Sequence, residues 1–252
     1  MSHVINSLDL LRIAAGRVPG MRFVELIGRN PTIDTGTVPE SIWVAGGLFA
    51  FRSAAAVLEL VSTSANDAAA GTGARSVRVD GLDANWNEIS ETIVLNGTTP
   101  VTGTKLFLRT NQAAIVTTGT GKTNAGGITI RDAGAGATQR FIDVGRGTAE
   151  LLAYTIPKDH TLLLTGWYAT CRDASGVTNA DIDVQVNHNA DNGGTHVEWS
   201  FSIDGIFTSP FSLPHPLQEK SDIHPVVTRV AANNSVVAWH GHGILIGPNA
   251  DL

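Results

Sequence analysis

Apolar and polar residues alternate with a period of two along most of this chain, and clusters of turn-forming residues interrupt the alternation. Ile182, Val184 and Val186 alternate with Asp181, Asp183, Gln185 and Asn187. Val197, Trp199, Phe201 and Ile203 alternate with His196, Glu198, Ser200 and Ser202. Successive side chains of a strand point to opposite faces, so each run predicts one dry and one wet face. Shorter runs repeat the pattern at Val77 with Val79, Ile93 to Leu95, and Leu106 with Leu108. Between them lie Ala70-Gly71-Thr72-Gly73, Leu95-Asn96-Gly97-Thr98, Asn124-Ala125-Gly126-Gly127 and Asp191-Asn192-Gly193-Gly194, residue types that favour turns. Short strands with this punctuation predict an all-β protein of sandwich or jelly-roll-like units with little helix. The 27 glycines among 252 residues exceed the average share of about 7% and argue against a helical bundle. With 42% hydrophobic and 16% charged residues, the chain can fill a core and is not a disordered one.

Helix is predicted only over Ser7 to Ala15, where Ser7 can cap the run Leu8, Leu10, Leu11 and Ile13 ahead of Pro19-Gly20. Residues 30–50, with Pro31, Pro39, Gly46 and Gly47, read as extended and irregular. This gives an N-terminal arm over residues 1–50, lying on a neighbour or wrapping its own domain. The glycine-rich run Asp132 to Gly147 reads as a seam. It separates an N-terminal β unit over 51–145 from a C-terminal β-sandwich unit over 146–252, whose first strands are Leu151 to Ile156 and Thr161 to Thr170 around a turn at Pro157-Lys158-Asp159.

Several function classes are disfavoured by composition. A net charge of −6 argues against nucleic acid as the main partner, because a phosphate backbone demands a basic surface. The lone Cys171 makes neither an internal disulfide nor a cysteine-based zinc cluster. No apolar run reaches the roughly 20 residues that cross a bilayer, and residues 1–20 do not read as a secretory signal. A soluble protein made in a reducing compartment, without a membrane partner, is expected.

The chemistry-bearing motifs are weak. Gly119-Thr120-Gly121-Lys122-Thr123 resembles a phosphate loop, but Val116 stands where its first glycine belongs and the strand-like Ile128-Thr129-Ile130 follows instead of a helix. Asp83, Asn85 and Asn87 alternate as in a calcium loop, yet Glu88 and Val94 occupy its glycine and bidentate-acid positions; an asparagine-capped turn fits better. His240 and His242 share a strand face and could ligate one metal, with His188, His196 or Asp183 as a third ligand, although no spacing rule selects one. Polar packing at a subunit boundary fits them better. Asp181 and Asp183 share a face at about 6.5–7 Å along a strand, which falls within the range for paired glycosidase carboxylates, but alternating acids on a wet face are common. No Gly-x-Ser-x-Gly nucleophile elbow is present. Trp86 or Trp167 could stack on sugars if exposed.

Two stretches are familiar in combination. One is Ile27-Gly28-Arg29-Asn30-Pro31-Thr32-Ile33-Asp34-Thr35-Gly36 through Trp43. The other is Ser64-Ala65-Asn66-Asp67 through Gly71-Thr72-Gly73-Ala74-Arg75, continuing from Val79 to Thr92 and on to Leu95-Asn96-Gly97-Thr98. Together they resemble a family of virion structural proteins of tailed bacteriophages. Tyr154 to Thr161 is similar to a strand–turn–strand in the C-terminal half of those proteins. The resemblance spans roughly residues 22–170 and implies a β-rich particle component with no catalytic residues, no cofactor and no metal. It leads to the expectation of a capsid decoration (cement) protein, a homotrimer on the major capsid protein at the outer head surface, assembled in the bacterial cytoplasm. A tail, baseplate or head-fibre component and a carbohydrate-binding module are the alternatives. Arg29, Asn30, Pro31, Asp34, Pro39 and Trp43, all within the arm, are the candidate interface residues.

Overall fold

The computed structural model describes residues 7–191 and 193–250, and these described residues are all-β apart from one short helix and one 3-10 turn. The helix α1 (Ser7–Ala14) lies where the sequence predicts it and precedes β1 (Met21–Ile33) and β2 (Glu40–Ser41). Then come β3 (Ala56–Ser62), β4 (Ala74–Leu82), β5 (Glu88–Val94), β6 (Val101–Phe107), β7 (Arg109–Thr118), β8 (Ile128–Asp132) and β9 (Thr138–Ile142). The rest are β10 (Tyr154–Thr155), β11 (Thr161–Asp173), β12 (Gly176–Val177), β13 (Asn179–His188), β14 (Thr195–Asp204), β15 (Ile206–Leu217), β16 (Ser221–Val230) and β17 (Ser235–Ile246). The chain divides into two compact units. One joins the residues up to Pro39 with those from Leu152 onward, and the other is Glu40–Leu151.

In the Glu40–Leu151 unit, a four-stranded sheet in the order β6-β3-β8-β9 and a three-stranded sheet in the order β5-β4-β7 bury a shared core. Leu58, Leu60, Phe107, Ile128, Ile130 and Ile142 of the first sheet meet Val77, Val79, Ile93 and Ala113 of the second. The wide turns are held by a buried carboxylate. Asp67, fully buried, accepts hydrogen bonds from Ser62 Oγ at 2.6 Å and from the backbone N–H groups of Ala74 at 2.7 Å, Ala125 at 2.8 Å and Gly126 at 2.8 Å. Gly73 is required beside it, because a Cβ there would come within 2.1 Å of Asp67 Oδ1. Arg140 is buried too, donating through Nη1 to Leu151 O at 3.0 Å and through Nη2 to Thr110 O. Desolvation pushes its pKa down to about 9.

The other unit stacks two sheets. One runs β1-β17-β11-β12 with β15 also paired to β11, and the second runs β10-β16-β13-β14. Aromatic rings fill the space between them: Trp167 of β11 packs edge-on to Trp239 of β17 at 5.3 Å and to Trp199 of β14 at 6.1 Å, while Phe201 of β14 lies 4.9 Å from Trp239. Gly241 makes room for this, since a Cβ there would sit 2.3 Å from Trp167.

Two expectations about organisation are corrected. The segment expected as an arm over residues 1–50 contains β1, an edge strand of the sandwich paired with β17 from Met21↔Ile246 to Ile33↔Ser235. Pro31 disguises it: the ladder register shifts between Asn30 and Ile33, and an edge strand tolerates a residue that lacks an N–H. The remainder of that segment, from Glu40, belongs to the other unit. The expected boundary at 145/146 moves to Leu151/Leu152, because the glycine-rich run holds β9, hydrogen-bonded to β8. Asn124 Nδ2 ties the loop after β9 down by donating to Asp143 O at 2.7 Å.

Candidate functional site

The six expected interface residues have unlike environments. Asn30 is fully buried and Trp43 is 6% exposed, with Trp43 Nε1 donating to Gly47 O at 3.0 Å and its ring edge-on to Phe49 at 5.7 Å. These two hold their own units together and present no contact surface. Arg29, Pro31 and Asp34 are half-buried and Pro39 is exposed. Asp34 Oδ1 accepts from Asn234 N at 2.7 Å, so it fastens the end of β1 to the turn before β17.

Another grouping of chemistry-bearing side chains lies on β13 to β15. A β-bulge creates it. Val186 pairs with His196 and Gln185 with Val197, but the next partner of β13, Val184, pairs with Trp199. Glu198 is the extra residue. The bulge reverses the facing of the strand's first residues, since a slip of one residue exchanges faces. Val197, expected on the apolar face, lies opposite the polar Gln185 and is 49% exposed. His196, expected on the wet face, shares a face with Val186 and His188.

His188 and His196 rings therefore lie 5.1 Å apart. His196 Nε2 is 2.8 Å from Glu198 Oε2, and His215 Nε2 of β15 is 3.3 Å from Glu198 Oε1. His188 Nδ1 is 2.9 Å from the buried Ser221 Oγ. The potential ligand atoms of His188, His196 and Glu198 all lie within 4.8 Å of one another, the one such trio among the described residues.

The histidine pair singled out in the sequence does share a face, with the His240 and His242 rings 6.1 Å apart. Glu25 of β1 is their acidic neighbour, its Oε1 3.8 Å from His240 Nε2. Burial, with His240 beside it, pushes the His242 pKa down. Its suggested third ligands His188 and His196 belong instead to β13 and β14 of the facing sheet. Asp181 and Asp183 are each engaged across the ladder. Asp181 accepts from Ser202 Oγ at 2.6 Å and Arg229 Nε at 2.5 Å, and Asp183 accepts from Ser200 Oγ at 2.5 Å. Hydrogen bonding to Arg229 and Ser202 holds the Asp181 pKa below its ordinary value.

Asp83 Oδ1 accepts from the N–H groups of Asn85 at 2.8 Å and Asn87 at 3.0 Å, the capped turn that the sequence favours. Around Gly119-Thr120-Gly121, the N–H groups of Gly119 and Gly121 donate to Gly73 O and Thr72 O at 2.8 Å each. Those donors are spent on the fold, and β8 follows. Trp167 is 3% exposed and cannot stack on a sugar, while the half-buried Trp86 lies against the Arg109 guanidinium at 5.0 Å. Cys171 is 1% exposed, and burial, with Asp173 nearby, pushes its thiol up to about 11.

No family model and no curated protein matches this chain. A solved structure of infectious bursal disease virus, Gt strain, is similar over 92% of this chain and 72% of that one, at 10% identity and a TM-score of 0.20. A score that low carries no argument about fold or function.

Proposed function

We propose that this chain is a structural component of a tailed-phage virion, specifically a decoration protein that binds the outer head surface and bridges capsomers through the major capsid protein. The observation that supports it is the place in the fold of the residues that carry the resemblance. Asn66, Asp67, Gly71, Gly73 and Ala74 build the buried Asp67 network, and Ile27 to Ile33 belong to β1. The residues that carry the resemblance thus lie in both units and include buried ones, rather than forming a lone turn. The surface suits side-chain contacts with other copies or with a shell. Ile206 and Leu213 of β15 are 68% and 83% exposed, while Pro210, Pro214 and Pro216 on this edge strand block further strand pairing.

Quantitative protein composition of purified virions tests the proposal. Copy numbers approaching those of the major capsid protein are expected. A few to tens of copies would move the chain to the tail, vertex or fibres, and absence from virions would end the reading. Light scattering of the purified chain tests the homotrimer that belongs to it.

A further inference from the structure

We propose that His188, His196 and Glu198 form a binding site for a divalent transition-metal ion, with Zn2+ as the best fit. Two imidazoles and one carboxylate suit zinc-class ions, whereas calcium and magnesium favour all-oxygen sets. Three protein ligands with a fourth position left to water or an incoming group is a recurrent zinc arrangement. The trio spans the β13–β14 ladder, where the backbone fixes His188 and His196 as diagonal neighbours and the bulge at Glu198 supplies the carboxylate.

Two of the three side chains already have the outer partners that metal ligands use. Ser221 Oγ engages His188 Nδ1 at 2.9 Å and leaves Nε2 for an ion. His215 Nε2 lies 3.3 Å from Glu198 Oε1 and leaves Oε2, the oxygen beside His196, for the ion. Partners of this kind orient a ligand and raise its affinity for metal. A tetrahedral ion with bonds of about 2.0–2.1 Å holds its ligand atoms roughly 3.3 Å apart. The observed spread of up to 4.8 Å closes by side-chain rotation, and His196, 44% exposed in its side chain, has room to rotate. The ion would replace the direct His196–Glu198 contact and join residues on β13 and β14, with β15 fastened through His215.

The test is calorimetric titration of the full chain with Zn2+, together with the visible spectrum on adding Co2+, which absorbs intensely when tetrahedral. One Zn2+ per chain is expected. Affinity should weaken at least tenfold in Glu198→Gln and in His188→Ala, and remain unchanged in a His240→Ala/His242→Ala control. Circular dichroism of each variant establishes that it is folded. Glu198→Gln preserves size while removing the charge and one acceptor oxygen, so it reads the site even if the histidine variant fails to fold. Absence of stoichiometric binding, unchanged affinity in a folded Glu198→Gln chain, or loss confined to the His240/His242 variant would each overturn the proposal.

Discussion

Asp67 shows how much one side chain can determine in a chain built of short strands and wide turns. Its carboxylate satisfies three backbone N–H groups and the Ser62 hydroxyl, and an unsatisfied buried donor costs about 1–3 kcal/mol. Asp67→Ala should therefore destabilise the Glu40–Leu151 unit by roughly 3 kcal/mol or more, measured as a lower denaturant midpoint with unchanged slope. Glu59 plays a related part, accepting from Gly134 N at 2.9 Å, Ala135 N at 3.0 Å and Arg131 Nε at 2.7 Å. The Gly134 hydrogen bond is the leading cause of a pKa below the ordinary 4.5. The unfolded chain then takes up the proton first as pH falls, so Glu59 contributes stability that is present above about pH 4.5 and lost through the folded-state pKa below it. Chemical denaturation between neutral pH and pH 3 should show stability falling across that window, and falling less in Glu59→Gln. Asp67 and Gly73 stand out in the sequence as members of a familiar run. Their role was not legible there, because the N–H groups that Asp67 satisfies on Ala125 and Gly126 are remote in sequence and meet it only in the fold.

Among the elements, β1 and β14 depart furthest from their sequence patterns. β1 buries Met21, Val24, Leu26 and Ile33, each worth about 1.5–3 kcal/mol. Their sum is comparable to the whole stability of an ordinary domain, about 5–15 kcal/mol. Removing residues 1–33 should abolish cooperative unfolding of the sandwich formed by β1 and β10–β17, or drive the chain to aggregate through the bared edge of β17. A truncated chain with an unchanged melting temperature would mean that β1 is dispensable, as an arm would be. The bulge in β14 had no signature in the alternation. His196, Glu198, Ser200 and Ser202 read as one continuous wet face, and only the pairing of Trp199 with Val184 shows that Glu198 is an insertion. For that reason the sequence pairs His240 with His242, which an unbroken strand places together, and offers His188 and His196 only as alternative third ligands to that pair.

For the molecule as a whole, the unit Glu40–Leu151 is an insertion between β1 and the strands that complete its sandwich. It has its own two sheets and its own core, so a fragment of residues 40–151 should fold alone. Circular dichroism with a cooperative thermal transition, and dispersed amide resonances, are the expected result; a molten fragment would refute independent folding. The all-β class, the short N-terminal helix, most strand positions and the capped turn at Asp83 follow from local alternation, capping and turn chemistry, which act over a few residues and are written directly in the chain. Burial of Asp67, the membership of β1 in a sheet with β17, the boundary at Leu151 and the His188–His196–Glu198 grouping were decided only on folding. Each depends on which distant strands become neighbours and in what register, and a hydrophobic pattern read along one strand carries no information about its partner.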